Sequence, residues 1–239
     1  YSDLQTQFMD DELAEQQIQN LPEKGKIPLS ANWVKQAAYY LLKAEKSFKD
    51  EMYEEALDNY NKALRIIPDI EGITRYIGLI YLRQKNYSAA ASMFEKVTQE
   101  EEMTFGLANN LGVSYLALED FKKAEESLLL AIKLNPKYAI AFFNLATLYS
   151  RTGNLPKAAY YYEKYLELKP DDLAVAQTYA MLLVRQEKWN QAIVLLKQLS
   201  QAAPDVAPIL FRLAEAYAHV QNPTAALDSL RQAIALVDP

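Results

Sequence analysis

The sequence predicts an all-α chain, a right-handed α-solenoid (superhelix) of six 34-residue helix-turn-helix repeats. Three observations carry this. Alanine recurs at 56, 90, 124, 158, 192 and 226, an unbroken spacing of 34. Twelve residues before each alanine stands another small residue: Ala44, Gly78, Gly112, Ala146, Ala180 and Ala214. Four residues after each comes a large apolar one: Tyr60, Phe94, Leu128, Tyr162, Leu196 and Leu230. A fixed period of this length marks one supersecondary unit copied along the chain, each copy burying its apolar face against its neighbours.

The units run 37–70, 71–104, 105–138, 139–172, 173–206 and 207–239, with no insertion between them. Within each, apolar residues at i, i+3, i+4 and i+7 outline two helical faces separated by a short turn. The first helix carries the small residue and, three positions on, Ser47, Tyr81, Tyr115, Tyr149, Leu183 or Tyr217. The turn follows, as at Glu119-Asp120 and Thr152-Gly153-Asn154. Three residues before the ladder alanine stand Tyr53, Tyr87, Phe121, Leu155, Trp189 and Pro223. Twelve after it, Pro68, Pro136, Pro170 and Pro204 mark the end of the second helix, because proline cannot continue it. Glu102 and Asp238 occupy that column in the other two units. Small residues stand where the two helices of a hairpin approach too closely for a larger side chain, and aromatics fill the space beside them.

The series Leu111, Gly112, Tyr115, Ala124, Ala131, Pro136, repeated as Phe142, Leu145, Ala146, Tyr149, Ala158, Tyr162, Pro170, resembles the pattern of the tetratricopeptide repeat family. The resemblance covers all six units. It is weakest at the ends, where Lys43 replaces the usual leucine, Ser47 the usual tyrosine, and the last unit stops one residue short. The family implies a non-catalytic protein–protein interaction scaffold or adaptor, whose first helices line a concave groove that takes a peptide or helix of a partner.

Carried over by register, one lining column reads Leu42, Tyr76, Asn110, Asn144, Thr178, Arg212. Asparagine there is the family's grip on a peptide backbone, and only Asn110 and Asn144 match it; a primary amide offers both donors and an acceptor. A second column, near the end of the first helix, reads Lys49, Arg83, Ala117, Arg151, Arg185, His219. With Arg75 and Arg212 on the same helices, it sketches a basic stripe suited to an acidic or extended segment. The competing reading is that cations in a helix's last turn simply offset its dipole, an effect of about 0.3–1 kcal/mol each. The candidate peptide-binding residues are therefore Arg75, Arg83, Asn110, Asn144, Arg151, Arg185 and Arg212. The family's carboxylate clamp is not reproduced, since Leu79 stands where its asparagine would follow Arg75.

Residues 1–36 form an N-terminal extension of different character, with Pro22 and Pro28 around Glu23-Lys24-Gly25-Lys26. Ser30 reads as a helix cap, so that the first repeat helix starts early and includes Trp33 and Val34. Leu4, Phe8, Leu13, Ile18 and Leu21 make 3–20 loosely amphipathic: a capping helix, a tail, or a segment docking into a groove of its own or a neighbouring chain. At the other end, Leu230, Ala233 and Ile234 are expected to face the place where a further helix would pack. An open apolar end suits contact with a partner or a second copy. Two alternatives to the adaptor reading thus stay open: a self-associating component of a cell-envelope or secretion complex, and the repeat region of a larger multidomain protein.

Composition narrows the classes. A net charge of −6 argues against general nucleic-acid binding. No apolar stretch reaches the ~20 residues of a membrane-spanning helix. With no cysteine and one histidine, and without HExxH, Walker, G-x-G-x-x-G or G-x-S-x-G motifs, the chain reads as no enzyme and calls for no cofactor or metal. The acids Glu100-Glu101-Glu102 and Asp171-Asp172 read as solvated junction residues, and Tyr162 and Tyr165 of the run Tyr160-Tyr161-Tyr162 and Tyr165 as core. Compartment stays open: the start at Tyr1 rather than methionine leads us to expect a longer natural N-terminus, compatible with a cytoplasmic or an exported protein.

Overall fold

A computed structural model describes residues 32–67, 70, 72–100 and 102–237, and among these residues every regular element is a helix. The twelve helices are α1 (Asn32–Lys49), α2 (Tyr53–Ile66), α3 (Ile73–Arg83), α4 (Tyr87–Glu100), α5 (Phe105–Ala117), α6 (Phe121–Leu134), α7 (Ala139–Arg151), α8 (Leu155–Leu168), α9 (Leu173–Arg185), α10 (Trp189–Ala202), α11 (Ala207–His219) and α12 (Pro223–Val237). They form six antiparallel hairpins at the predicted register. The helix α1 starts five residues ahead of the first repeat and contains Trp33 and Val34. Ser30 and the amphipathic stretch 3–20 lie outside the described residues. The chain divides into two compact units, Tyr1–Pro136 and Lys137–Pro239, each with three hairpins.

The hairpins are held by close approach of their helices. All six ladder alanines are buried, and so are the six small residues twelve positions before them. In the second and third hairpins there is no room even for a methyl group. A Cβ on Gly78 would lie 2.7 Å from the Phe94 ring, and one on Gly112 would lie 2.6 Å from Leu128 Cγ. The third ladder therefore meets the second across each hairpin: the large residue four after the alanine fills the space that the small residue leaves. Around these contacts, Leu79, Phe94, Leu107 and Leu111 build one core in the first unit, and Ala180, Leu196, Ile209 and Leu213 build one in the second. Tyr162 and Tyr165 are core residues, as their columns predict.

The turns follow the same period in a way residue types conceal. Glu51, Lys85, Glu119, Glu187 and Gln221 all have left-handed backbone, with φ between 57° and 63°, and Gly153 has φ 77°. These six positions are again 34 apart. Each is the second residue past the first helix, and the left-handed twist lets the next N–H turn back onto that helix. Asn86 N–H donates to the Tyr81 carbonyl at 2.8 Å, Asp120 to Tyr115 at 3.0 Å, and Lys188 to Leu183 at 2.9 Å. The acceptors are the column three residues after the small one. The next position then caps the second helix: Asn86, Asp120, Asn154 and Asn222 each accept, through their side chains, the N–H three residues on, at 3.2–3.3 Å.

Junctions are fastened by individual polar contacts. Asp172 caps α9 by accepting from Val175 N–H at 3.1 Å, and its other oxygen accepts from the Tyr165 hydroxyl at 2.6 Å. Thr104 caps α5. Tyr115 donates across the gap between hairpins to Glu95. At the C-terminal end one expectation is corrected. Ala233 does not face outward but is fully buried, because it sits on the side of α12 that packs against α11. The exposed apolar stripe consists of Leu227, Ile234 and Val237, with Leu230 half-buried beside it.

Two predictions follow from this packing. Gly112→Ala should lower stability by about 1–3 kcal/mol despite alanine's better helix propensity, through the Leu128 clash. Gly153→Ala should lose about 1 kcal/mol through its positive φ alone; chemical denaturation of each variant reads both. The third concerns alkali. Burial, with Glu45 nearby, pushes the Tyr76 hydroxyl up to about 12, and burial likewise raises Tyr60. Tyr165 is raised by burial and by its bond to Asp172. The unfolded chain then loses these protons first. Stability should be level up to about pH 10, the ordinary tyrosine value, and fall as pH rises toward and through 12. Thermal melts at about pH 8 and about pH 11 test this.

Candidate functional site

The seven predicted site residues fall in two sets. Arg75, Arg83 and Asn110 lie in the first unit, on α3 and α5; Asn144, Arg151, Arg185 and Arg212 lie in the second, on α7, α9 and α11. The predicted six-repeat stripe is thus two groups of three first helices, each within its own unit.

In the first unit the group is enclosed. Arg75 is buried, Arg83 half-buried, and Asn110 only 1% exposed. The Asn110 backbone carbonyl accepts from the Ser114 hydroxyl at 2.8 Å, while its side-chain Oδ1 is buried without a hydrogen-bond partner. A buried acceptor in that condition loses more than its share of hydration and favours an incoming donor.

In the second unit the group is open. Arg151 and Arg185 end α7 and α9 with exposed side chains, and Arg212 lies exposed on α11, paired to Glu215 at 2.8 Å. Thr178 is exposed on α9 in the asparagine column, and Asn144 on α7 is buried. Phe143 is half-buried and Phe211 41% exposed at matching positions of α7 and α11. This is a surface with Arg151 and Arg185 at the ends of their helices and Arg212 beside Phe211 midway along α11.

The one histidine is placed differently from its column mates. His219 stacks flat on Trp189, ring centroids 3.8 Å apart and planes 2° from parallel. Its ring is thus a packing partner of Trp189 on α10, in the preceding hairpin, as well as a polar group. Among the junction acids, Asp172 is a cap, Glu102 is exposed and Glu101 lies outside the described residues. No group of three His, Cys, Asp or Glu among the described residues is arranged to hold a metal ion. No helix among them is long and apolar enough to cross a membrane.

Sequence reasoning did not find an apolar groove of about 550 Å³ in the second unit, walled by Leu166, Pro170, Leu173, Ala176, Leu195 and Leu199. It opens where α8 ends, α9 begins and α10 passes by. No residue type announces it: Leu173 at its mouth is 42% exposed, and exposure is not readable from residue type.

Comparison with known proteins agrees with the helical-repeat fold. Models of the tetratricopeptide repeat match residues 109–172, 149–205 and 183–237. Among curated proteins, the chain is 25% identical over 183 residues to the human protein O-mannosyl-transferase TMTC3, covering 75% of this chain and 20% of that protein. It is 23% identical over 132 residues to mouse BBSome complex member BBS4 (55% and 25%), and 22% identical over 175 residues to anaphase-promoting complex subunit 3 of Schizosaccharomyces pombe (73% and 26%). The chain therefore spans about a quarter or less of the length of these relatives. Among solved structures, the C-terminal part of a TPR repeat-containing protein from Cytophaga hutchinsonii superposes with a TM-score of 0.74 at 17% identity, covering 85% of this chain and 80% of that one. A tetratricopeptide repeat protein from Parabacteroides merdae gives 0.64 at 16% identity (86% and 81%). Proteins built from this repeat generally mediate protein–protein interaction, and in its ladders, hairpins and matched residues this chain belongs to the tetratricopeptide repeat family.

Proposed function

We propose that the chain is a non-catalytic adaptor that binds an extended, acidic segment of a partner protein on the first-helix face of its second unit. One observation carries the reading: α7, α9 and α11 present Arg151, Arg185 and Arg212 to solvent in a protein whose net charge is −6. Phe143 and Phe211 supply apolar contact for alternate side chains, and the Thr178 hydroxyl, which donates to the Ala174 carbonyl at 3.0 Å, keeps lone pairs for a backbone N–H. Guanidinium forks match carboxylates in pairs, so the surface selects charge as well as length. The names of the curated relatives point the same way in part, two being members of multiprotein complexes and one a transferase. The candidate residues of the first unit, Arg75, Arg83 and Asn110, are buried or half-buried and take no part in this reading.

A second reading has its own observation. Leu227 and Ile234 are 53% and 55% exposed on α12, whereas the equivalent residues of the earlier second helices, such as Ala159 and Leu166, are buried or half-buried. That stripe suits contact with a second copy of the chain. Light scattering at two concentrations, repeated with Leu227→Asp plus Ile234→Asp, separates it from a strictly monomeric adaptor.

The main reading predicts that a fluorescent oligo-glutamate peptide binds with affinity that falls as salt rises. Arg151→Glu combined with Arg185→Glu should weaken binding about tenfold or more at low salt and flatten the salt dependence. If affinity is unchanged, these cations only offset the dipoles of their own helices.

A further inference from the structure

The apolar groove of the second unit lies where the repeat register changes residue size. In the fourth hairpin, Phe142 of α7 packs on Tyr161 of α8, ring centroids 6.4 Å apart, and Tyr165 is buried one turn further along α8. One period of 34 later, the same three positions are Ala176 on α9 and Leu195 and Leu199 on α10. In the sixth hairpin the first of them is large again, as Leu210, and buried. A ring at each position thus gives way to one methyl and two isobutyl groups in the fifth hairpin. Leu168 likewise becomes Ala202. The space that rings occupy in the fourth hairpin is open here. Ala176 and Leu199, 5% and 2% exposed, floor the groove, while Leu173 and Ala202 stand exposed at its edge.

Size and lining say what fits. The volume of about 550 Å³ falls within the range of about 300–1,000 Å³ usual for ligand sites. A planar side chain entering from outside would restore the packing that Phe142 and Tyr161 have from within. Aromatic side chains bury about 150–250 Å² each and serve as anchors of protein contacts for that reason. The polar residues of the lining are Asp171 and Gln198, both exposed, and no lysine or arginine lines the groove. A carboxylate at the mouth of an apolar slot favours a cation beside the incoming ring and repels an acid.

We propose that this groove seats an aromatic side chain of a partner protein, one flanked by lysine or arginine. The proposal goes beyond the adaptor reading and uses none of its residues. An acidic segment suits Arg151, Arg185 and Arg212, whereas a basic, aromatic one suits Ala176 and Asp171.

The probe is a short capped peptide, acetyl-Gly-Lys-Phe-Lys-Gly-amide, titrated into the full-length protein with methyl resonances as the readout. Leu166, Leu195 and Leu199 should shift, with half-saturation on the order of 1 mM, while Leu107 and Leu111 in the first unit stay still. The same peptide with alanine in place of phenylalanine should leave all five unmoved. Ala176→Phe places in the groove the ring that Phe142 carries at the same register, and should weaken binding about tenfold or more. Asp171→Asn, exposed and safe for folding, should weaken it about two- to fivefold and remove its salt dependence. Should Ala176→Phe fail to fold, the alanine peptide and Asp171→Asn still decide. Absence of shifts at the groove methyls overturns the proposal, as do equal shifts from the alanine peptide or binding indifferent to Asp171→Asn. The probe carries no acid, so failure here is distinct from failure of the Arg151/Arg185 test.

Discussion

The close approach of the two helices in each hairpin is the constraint on which the rest depends. It requires a small residue on one helix and the alanine on the other, and it admits a large apolar side chain one turn past the alanine. At Gly78 and Gly112 the space is so tight that Phe94 and Leu128 occupy the volume a methyl group would need. Once those contacts are fixed, the rotation of every helix about its axis is fixed too. Each residue is then assigned to core, junction or surface by its distance from the nearest ladder alanine.

The turns serve that contact. A hairpin whose helices nearly touch must reverse in very few residues. The left-handed residue two positions beyond each first helix does this, at the sacrifice of some backbone strain where glutamate, lysine or glutamine holds the position. In four of the six turns the following Asn or Asp then gives the unpaired N–H groups at the start of the second helix an acceptor. Left-handed residue and helix cap occupy adjacent positions in these four turns, and the left-handed residue keeps its place in all six.

Much of this was legible beforehand. The ladders gave register, hairpin count and core columns, because packing demands a residue size and size is written in the sequence. The left-handed column was not legible, because Glu51, Lys85, Glu119, Glu187 and Gln221 share no chemistry that announces a positive φ; only Gly153 does. The outward direction assigned to Ala233 failed because a small residue fits both a buried and an exposed site, and the register decides only when read against α11. The candidate site was legible as residues and not as surroundings. Arg83 and Arg151 stand at the same register position two repeats apart, yet one is half-buried and the other exposed. Exposure depends on what else covers a face, and no periodicity carries that information.

The contact between facing ladders can be measured by itself. In a double-mutant cycle on Gly78 and Phe94, Gly78→Ala introduces the methyl and Phe94→Leu withdraws the ring that it would strike. If close approach governs the hairpin, the double variant should be more stable than the sum of the single losses by about 1 kcal/mol or more, since the second change relieves the first. Strict additivity would mean the methyl and the ring do not compete for space, and would contradict the packing from which every other assignment follows.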